Sequence, residues 1–231
     1  MIGIIGAMDV EIDLLLSAMQ NTRVTTICGR SFFEGEIEGK QVVLSRSGIG
    51  KVAAAVCAQT LIDVFKVDCI INTGIAGGIA PELKVGNIVV SECALQHDFD
   101  VTGFGYPKGY MCVGADNTSP TFYIADKNLA STVLAVAKEQ TTAISGIIAT
   151  GDVFVNSPET KREIAETFNA TACEMEGGAI AQVCTLNEVP FVVVRAISDL
   201  ANGEAAESYE QFERKAAEDC AKIVIESIKR I

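Results

Sequence analysis

Four carboxylates stand at positions where they could bind a ligand or move a proton. Glu174 and Glu176 flank Met175 in TACEMEGGAIAQV, Asp199 closes the apolar run PFVVVRAISD, and Glu11 follows the first apolar segment, IGIIG, by a few residues. Carboxylates are seldom buried without a partner, and ligands of open α/β sheets bind beyond the carboxyl ends of the strands, which is where Asp199 falls. The same residues fit a plainer pattern, in which Asp199 caps the next turn and the glutamates are solvated first-turn acids favoured by the helix dipole. Site chemistry and capping are both open on these residues alone.

The elements that would position them alternate in type. The run at 2–6 is a short strand, followed by a helix with apolar positions at Ile12, Leu15, Leu16 and Met19. Residues 24–46 read as hairpins, with turns at Cys28-Gly29-Arg30 and Glu38-Gly39-Lys40. SGIGKVAAA fails as a Walker loop, because Ser45 replaces the first glycine and Val52 follows Lys51. It fits a degenerate G-x-G-x-x-A (Gly48, Gly50, Ala53), but Asp68, the acid that would close a dinucleotide site, opens the next strand. What is left is a glycine loop whose amides start a helix over 52–65.

VDCIINTGIA predicts a buried strand running into a second glycine-rich turn at 74–78, then a strand in VGNIVVSEC. Residues 97–120 form an aromatic, glycine-rich segment too long for an idle connection, which reads as a binding loop or partner contact. A helix over 124–139, a strand in ISGIIAT, and a helix with Ser157 as N-cap and Pro158 at N1 follow. Beyond Asp199, a polar loop at 200–207 leads to a last helix with Ser208 and Gln211 as its capping box. Strands and helices alternate without repeat or linker, which predicts a single α/β domain over 1–231.

Composition narrows the partners. The chain has 231 residues, 49% of them hydrophobic, enough for one large core. Lys and Arg number 18 against 30 Asp and Glu, a net charge of −12 with no basic run, which argues against nucleic acid and anionic membrane surfaces. The eight cysteines mostly lie in apolar runs without a C-x-x-C, as small buried hydrophobes of a reducing compartment do. With His97 as the sole histidine, a His-rich zinc site cannot be assembled and a Ser-His-Asp triad has a single candidate base. MIGIIGAMDVE does not read as a signal peptide, and no apolar run approaches a membrane span. The expectation is a soluble cytoplasmic chain needing neither metal nor organic cofactor.

IGIIGAMDVE, SGIGKVAAA, NTGIAGG, VGNIVVS, HDFDVTGFGY, TGDVFVNS, CEMEGGAIA and VPFVVVRAISD, in this order and spacing, resemble the 5′-methylthioadenosine/S-adenosylhomocysteine nucleosidases of the purine nucleoside phosphorylase superfamily. The resemblance covers nearly the whole chain, and its specificity lies in the motifs jointly. It implies a three-layer fold, a central mixed twisted sheet flanked by helices. It also implies hydrolysis of the N-glycosidic bond of 5′-methylthioadenosine and S-adenosylhomocysteine, with 5′-deoxyadenosine as a further substrate, in methionine salvage.

On that resemblance, Asp199 protonates adenine and Glu11 activates water. Glu176 binds the ribose hydroxyls, supported by Glu174. Met175 and Phe154 sandwich ribose and adenine, and the backbone of Val155 reads the purine edge. Met8, Ile49 and Tyr209 line the 5′-thio pocket, which Val101 and Phe104 complete from the neighbouring subunit of a homodimer. The chain departs from the family pattern at Ile75, where many members carry serine, which leaves Ser198 or water to orient Asp199. It also departs at 106–120, a segment that looks long. Three other readings share the scaffold: a phosphorylase, with Arg46, Arg195 and the glycine loops as its candidate phosphate ligands, a nucleosidase for another modified adenine nucleoside, and a non-catalytic nucleoside sensor.

Overall fold

The computed structural model describes residues 1–111 and 118–231. The chain begins with strand β1 (Ile2–Gly6) and helix α1 (Asp9–Ala18), then runs through an antiparallel meander of β2 (Gln20–Ile27), β3 (Arg30–Ile37) and β4 (Lys40–Arg46). Both meander turns put a residue and the next glycine at positive φ, Cys28 with Gly29 and Glu38 with Gly39, as two-residue hairpin loops require. Helix α2 (Lys51–Asp63) leads to β5 (Cys69–Gly78) and β6 (Ile88–Gln96). After a 3₁₀ turn (Thr102–Phe104) come β7 (Tyr123–Ile124), α3 (Lys127–Gln140), β8 (Ala143–Thr150) and α4 (Pro158–Phe168). The chain finishes with β9 (Ala172–Glu174), α5 (Gly177–Leu186), β10 (Phe191–Asp199) and α6 (Ala205–Ile228).

The sheet is mixed and flanked by helices on both faces. In β10 the period of two is explicit: Val192, Val194 and Ala196 pack toward α1, α3 and α6, while Phe191, Val193 and Ile197 pack toward α2 and α5. Every residue of β10 and of β5 is buried, as expected of strands covered on both sides. A feature not anticipated from sequence is closure. β10 pairs with both β5 and β6, β6 with β8, β8 with β9 and β9 with β5, so five strands form a ring.

Several local expectations are corrected. Residues 74–78 are not a turn; β5 runs through them to Gly78, paired with β10 and β9. The last helix does not start at a Ser208 capping box, because Asn202 begins the turn earlier, its carbonyl accepting from Ala205 N at 2.9 Å and its side chain from Glu204 N at 3.1 Å. Ser208 lies inside α6. Cys28 is exposed at a hairpin turn, whereas the other described cysteines are buried; Cys112 is outside the described residues. Ser157 does cap α4, accepting from Thr160 N at 3.2 Å, with Pro158 at its first position. Among the described residues no helix is long and apolar enough to cross a membrane.

Candidate active site

Sheet register assembles the floor of the site. Asp199, the last residue of β10, pairs with Gly77 of β5, Gly77 pairs with Cys173 of β9, and Glu174 pairs with Thr150 of β8. Residues far apart in sequence thereby meet at one mouth of the ring. Above them opens a cavity of about 480 Å³, a size typical of small-molecule sites. Glu11, Glu174, Glu176 and Asp199 all line it.

Glu11 is buried, at 4% exposure, although it stands in the first turn of α1. Its side chain folds back over the helix start: Oε2 accepts from Ala7 N at 2.6 Å and Met8 N at 3.0 Å, and Oε1 from Ile75 N at 3.0 Å. Capping and siting are thus one arrangement, since the Met8 amide that α1 leaves free, joined by those of Ala7 and Ile75, holds the carboxylate at the cavity wall. Burial raises its pKa above the usual carboxylate value, more than Arg195 and the three amides lower it.

Asp199, 2% exposed, accepts from Ala201 N at 2.8 Å on Oδ1 and from the Ser198 hydroxyl at 2.9 Å on Oδ2. Burial again outweighs these donors and Lys161, and its pKa is raised. Ser198 therefore orients the acid.

Glu174 and Glu176 meet a buried cation, Arg195, from the middle of β10. Arg195 Nη2 donates to Glu174 Oε2 and, at 2.7 Å, to Asn72 Oδ1, and it lies 3.8 Å from Glu176 Oε2. Thr150 Oγ1 also donates to Glu174, as do the amides of Glu176 (3.1 Å) and Gly177 (2.7 Å). Glu176 Oε1 accepts from Gly50 N at 2.9 Å. Burial first, then the charge of Glu174, push the Glu176 carboxyl up to about 8, against the pull of Arg195. Burial opposes the charge of Arg195 too, but Glu174, Glu11 and Glu176 together hold its pKa above the ordinary value.

The apolar rim joins elements from both ends of the chain. Phe154 meets Tyr209 of α6 edge to face, centroids 5.9 Å apart at 84°, and the Tyr209 hydroxyl donates to Met8 Sδ at 3.2 Å. Met175, Ile75, Ser198 and the 59%-exposed Ile49 also face the cavity. Val155 is buried and lines a recess of about 30 Å³ beside Phe154, Met175 and Asp199. Val101 and Phe104 do not line the cavity within this chain, and Phe104 is 83% exposed. Part of the 106–120 segment, residues 112–117, lies outside the described residues.

Sequence reasoning missed three supports. Arg195, considered only as a phosphate ligand, is paired to Glu174 beneath the floor; an arginine inside VVVRAIS, where a buried charge requires a partner, was the available signal. Thr150 and Gly74 carried none. A Cβ at Gly74 would strike Glu11 Oε1 and lie 2.8 Å from Arg195 Nη1, so only glycine permits the carboxylate and guanidinium to come this close to β5. Arg46 sits at the surface, paired with Asp9 at 2.6 Å. Among the described residues no group of three or more His, Cys, Asp or Glu could hold a metal ion.

Fold and site together define a member of the phosphorylase superfamily, whose family model matches residues 1–229. A 5′-methylthioadenosine/S-adenosylhomocysteine nucleosidase of Haemophilus influenzae (strain PittEE) is 45% identical over 232 residues, covering 100% of this chain and 99% of the relative. Its namesake from Neisseria meningitidis, solved in complex with methylthio-immucillin-A, superposes with a TM-score of 0.94 at 41% identity, covering 100% of this chain and 99% of that one. The native futalosine hydrolase of Helicobacter pylori strain 26695 also superposes with a TM-score of 0.94, at 33% identity and 100% and 97% coverage. The chain belongs to the 5′-methylthioadenosine/S-adenosylhomocysteine nucleosidase family.

Proposed function

We propose that the protein hydrolyses the N-glycosidic bond of 5′-methylthioadenosine and S-adenosylhomocysteine, releasing adenine and the 5-thio-substituted ribose. The observation that carries this reading over phosphorolysis is the charge of the cavity wall. Five carboxylates line it, Glu210 being the fifth, and among the described residues no Lys, Arg or His does, so no side-chain cation there would hold a phosphate dianion. Arg195, the cation beneath, is engaged by Glu174 and Asn72.

The roles follow from the chemistry. Asp199, whose burial favours the protonated form, donates to the adenine ring as the C1′–N9 bond breaks and its electron pair moves to the base. Glu11 takes a proton from the water that attacks C1′ from the opposite face, the division of labour used by inverting glycosidases. Proton transfer from Glu11 back to Asp199 through solvent closes the cycle. Glu176, supported by Glu174, binds the ribose hydroxyls; Phe154 and Met175 enclose sugar and base; the backbone of Val155 meets the purine edge. Met8, Ile49 and Tyr209 accept the 5′-thio group, with 5′-deoxyadenosine as a further substrate.

Two further points belong to the same reading. Ile49 and Phe154 are exposed apolar residues at the cavity and Phe104 is an exposed one away from it, which supports a homodimer whose partner completes the pocket through Val101 and Phe104. The free cysteines support a cytoplasmic location. The test is adenine release from methylthioadenosine in phosphate-free buffer, repeated with phosphate. Release without phosphate, with free methylthioribose as co-product, is expected; release only with phosphate would make the protein a phosphorylase. S-adenosylhomocysteine, 5′-deoxyadenosine and futalosine as parallel substrates rank the 5′ groups.

A further inference from the structure

Gly50 and Lys51 supply successive amides to two different carboxylates. Gly50 N donates to Glu176 Oε1 at 2.9 Å inside the site, and Lys51 N donates to Asp152 Oδ1 at 2.8 Å at the rim. Gly50 has φ 95° and ψ 162°, a conformation that side chains rarely adopt, and this turns the two N–H groups toward different partners. Asp152 opens the loop that carries Phe154 and Val155, so one peptide unit spans from the ribose carboxylate to the purine side of the cavity.

A third carboxylate locks that unit. Asp98, just past β6, accepts from Lys51 Nζ at 2.6 Å and from Asp152 N at 2.9 Å, with both Asp98 and Lys51 partly buried. Burial works against the Asp98 carboxylate, yet Lys51 and the Asp152 amide hold its pKa below the ordinary value. Behind it the loop packs closely on the end of β6: His97 N donates to Thr150 O at 2.9 Å, and a Cβ at Gly151 would strike the His97 ring. These charge-assisted bonds close a circuit through the α2 start, the β6 end and the β8 end.

We propose that Asp152 and Asp98 are positioning residues for Glu176, acting through the Gly50–Lys51 peptide to set the spacing between the ribose carboxylate and the purine-binding loop. The proposal rests on the nucleosidase reading above. Catalytic geometry is sensitive to such spacing, since a shift of about 1 Å can cost roughly 10²-fold in rate.

The experiment compares wild type, Asp152→Ala, Asp152→Asn and Asp98→Ala in kcat, KM, the pH profile of kcat/KM on methylthioadenosine, and thermal midpoint. Asp152→Ala and Asp98→Ala are expected to lower kcat/KM by roughly 10- to 100-fold. The thermal midpoint of Asp152→Ala should stay within about 2 °C, as for other exposed substitutions. The acid limb should move to higher pH, because Glu176, facing Glu174, Glu11 and Arg195, loses the amide that favours its anion. Asp152→Asn keeps an oxygen for Lys51 N and should recover both rate and limb. Unchanged rate and limb in Asp152→Ala, or an Asn variant as impaired as the Ala variant, overturns the proposal alone. A wild type that releases no adenine overturns the nucleosidase reading and this proposal with it.

Discussion

The backbone amide of Ile75 donates to Glu11 Oε1 at 3.0 Å, so position 75 holds this carboxylate through its main chain. The hydroxyl beside Asp199 comes from Ser198, not from position 75. Restoring a hydroxyl with Ile75→Ser leaves the amide in place. It is expected to change kcat/KM by less than about tenfold, the scale of one net hydrogen bond of roughly 0.5–1.5 kcal/mol. Steady-state kinetics decide this; a larger loss would assign the Ile75 side chain a substrate contact of its own.

Gly74→Ala should be far more damaging than its size suggests. The added methyl would occupy the space between Glu11 Oε1 and Arg195 Nη1, both buried, and Glu11 could not withdraw without leaving the Ile75 amide. A displaced base is expected to lower kcat about 10²-fold. Single-turnover rates on methylthioadenosine check it, and a variant of near wild-type rate would show that Glu11 tolerates displacement.

Glu11→Gln and Asp199→Asn should each lower kcat by roughly 10²–10⁴, the usual contribution of one general base or acid. Both substitutions preserve shape but turn an NH2 toward a buried donor, so thermal midpoints measured beside the rates separate the chemical loss from any loss of folding. Near-normal turnover in either variant removes that residue from the mechanism.

Stability should fall as pH rises. Glu176 has an ordinary value of 4.5 and stands at about 8 in the fold, so it contributes stability that is fully present below about 4.5 and lost as pH rises through about 8. Glu11 and Asp199 are raised and act in the same direction. Thermal midpoints of wild type and Glu176→Gln from about pH 5 to about pH 9 test the sign. The wild type should lose ground to the variant toward high pH, and parallel curves would contradict the buried charge.

The proposed homodimer makes a prediction in solution. Light scattering of the active protein is expected to give twice the chain mass, and Phe104→Ala, in the segment proposed to meet the partner, should raise KM for thio-substituted substrates more than it lowers kcat. A fully active monomer would refute a pocket shared between chains.

Alternation of strand and helix, the buried runs of β5 and β10, the hairpin turns at Gly29 and Gly39, and the Ser157–Pro158 helix start were legible in the sequence, because each is decided by neighbours a few residues away. So was the siting of Glu11, Glu174, Glu176 and Asp199 at the ends of elements. Whether those acids were caps or cavity residues was not legible, and Glu11 both accepts from the Met8 amide at the start of α1 and lines the cavity. The start of α6 was misread because the Ser208 and Gln211 pattern is local, whereas a turn begun at Asn202 leads into a helix that is already under way at Ala205. Ring closure, the Arg195 counter-ion, the steric need for Gly74 and the Gly50–Lys51 link belong to tertiary structure alone. Each joins residues that are distant in sequence: Glu11 to Ile75, Glu176 to Gly50, Asp152 to Lys51. Sequence spacing carries the period of a strand or helix, but the burial that shifts a carboxylate's pKa depends on which chain segments exclude water from it, and only the packed sheet decides that.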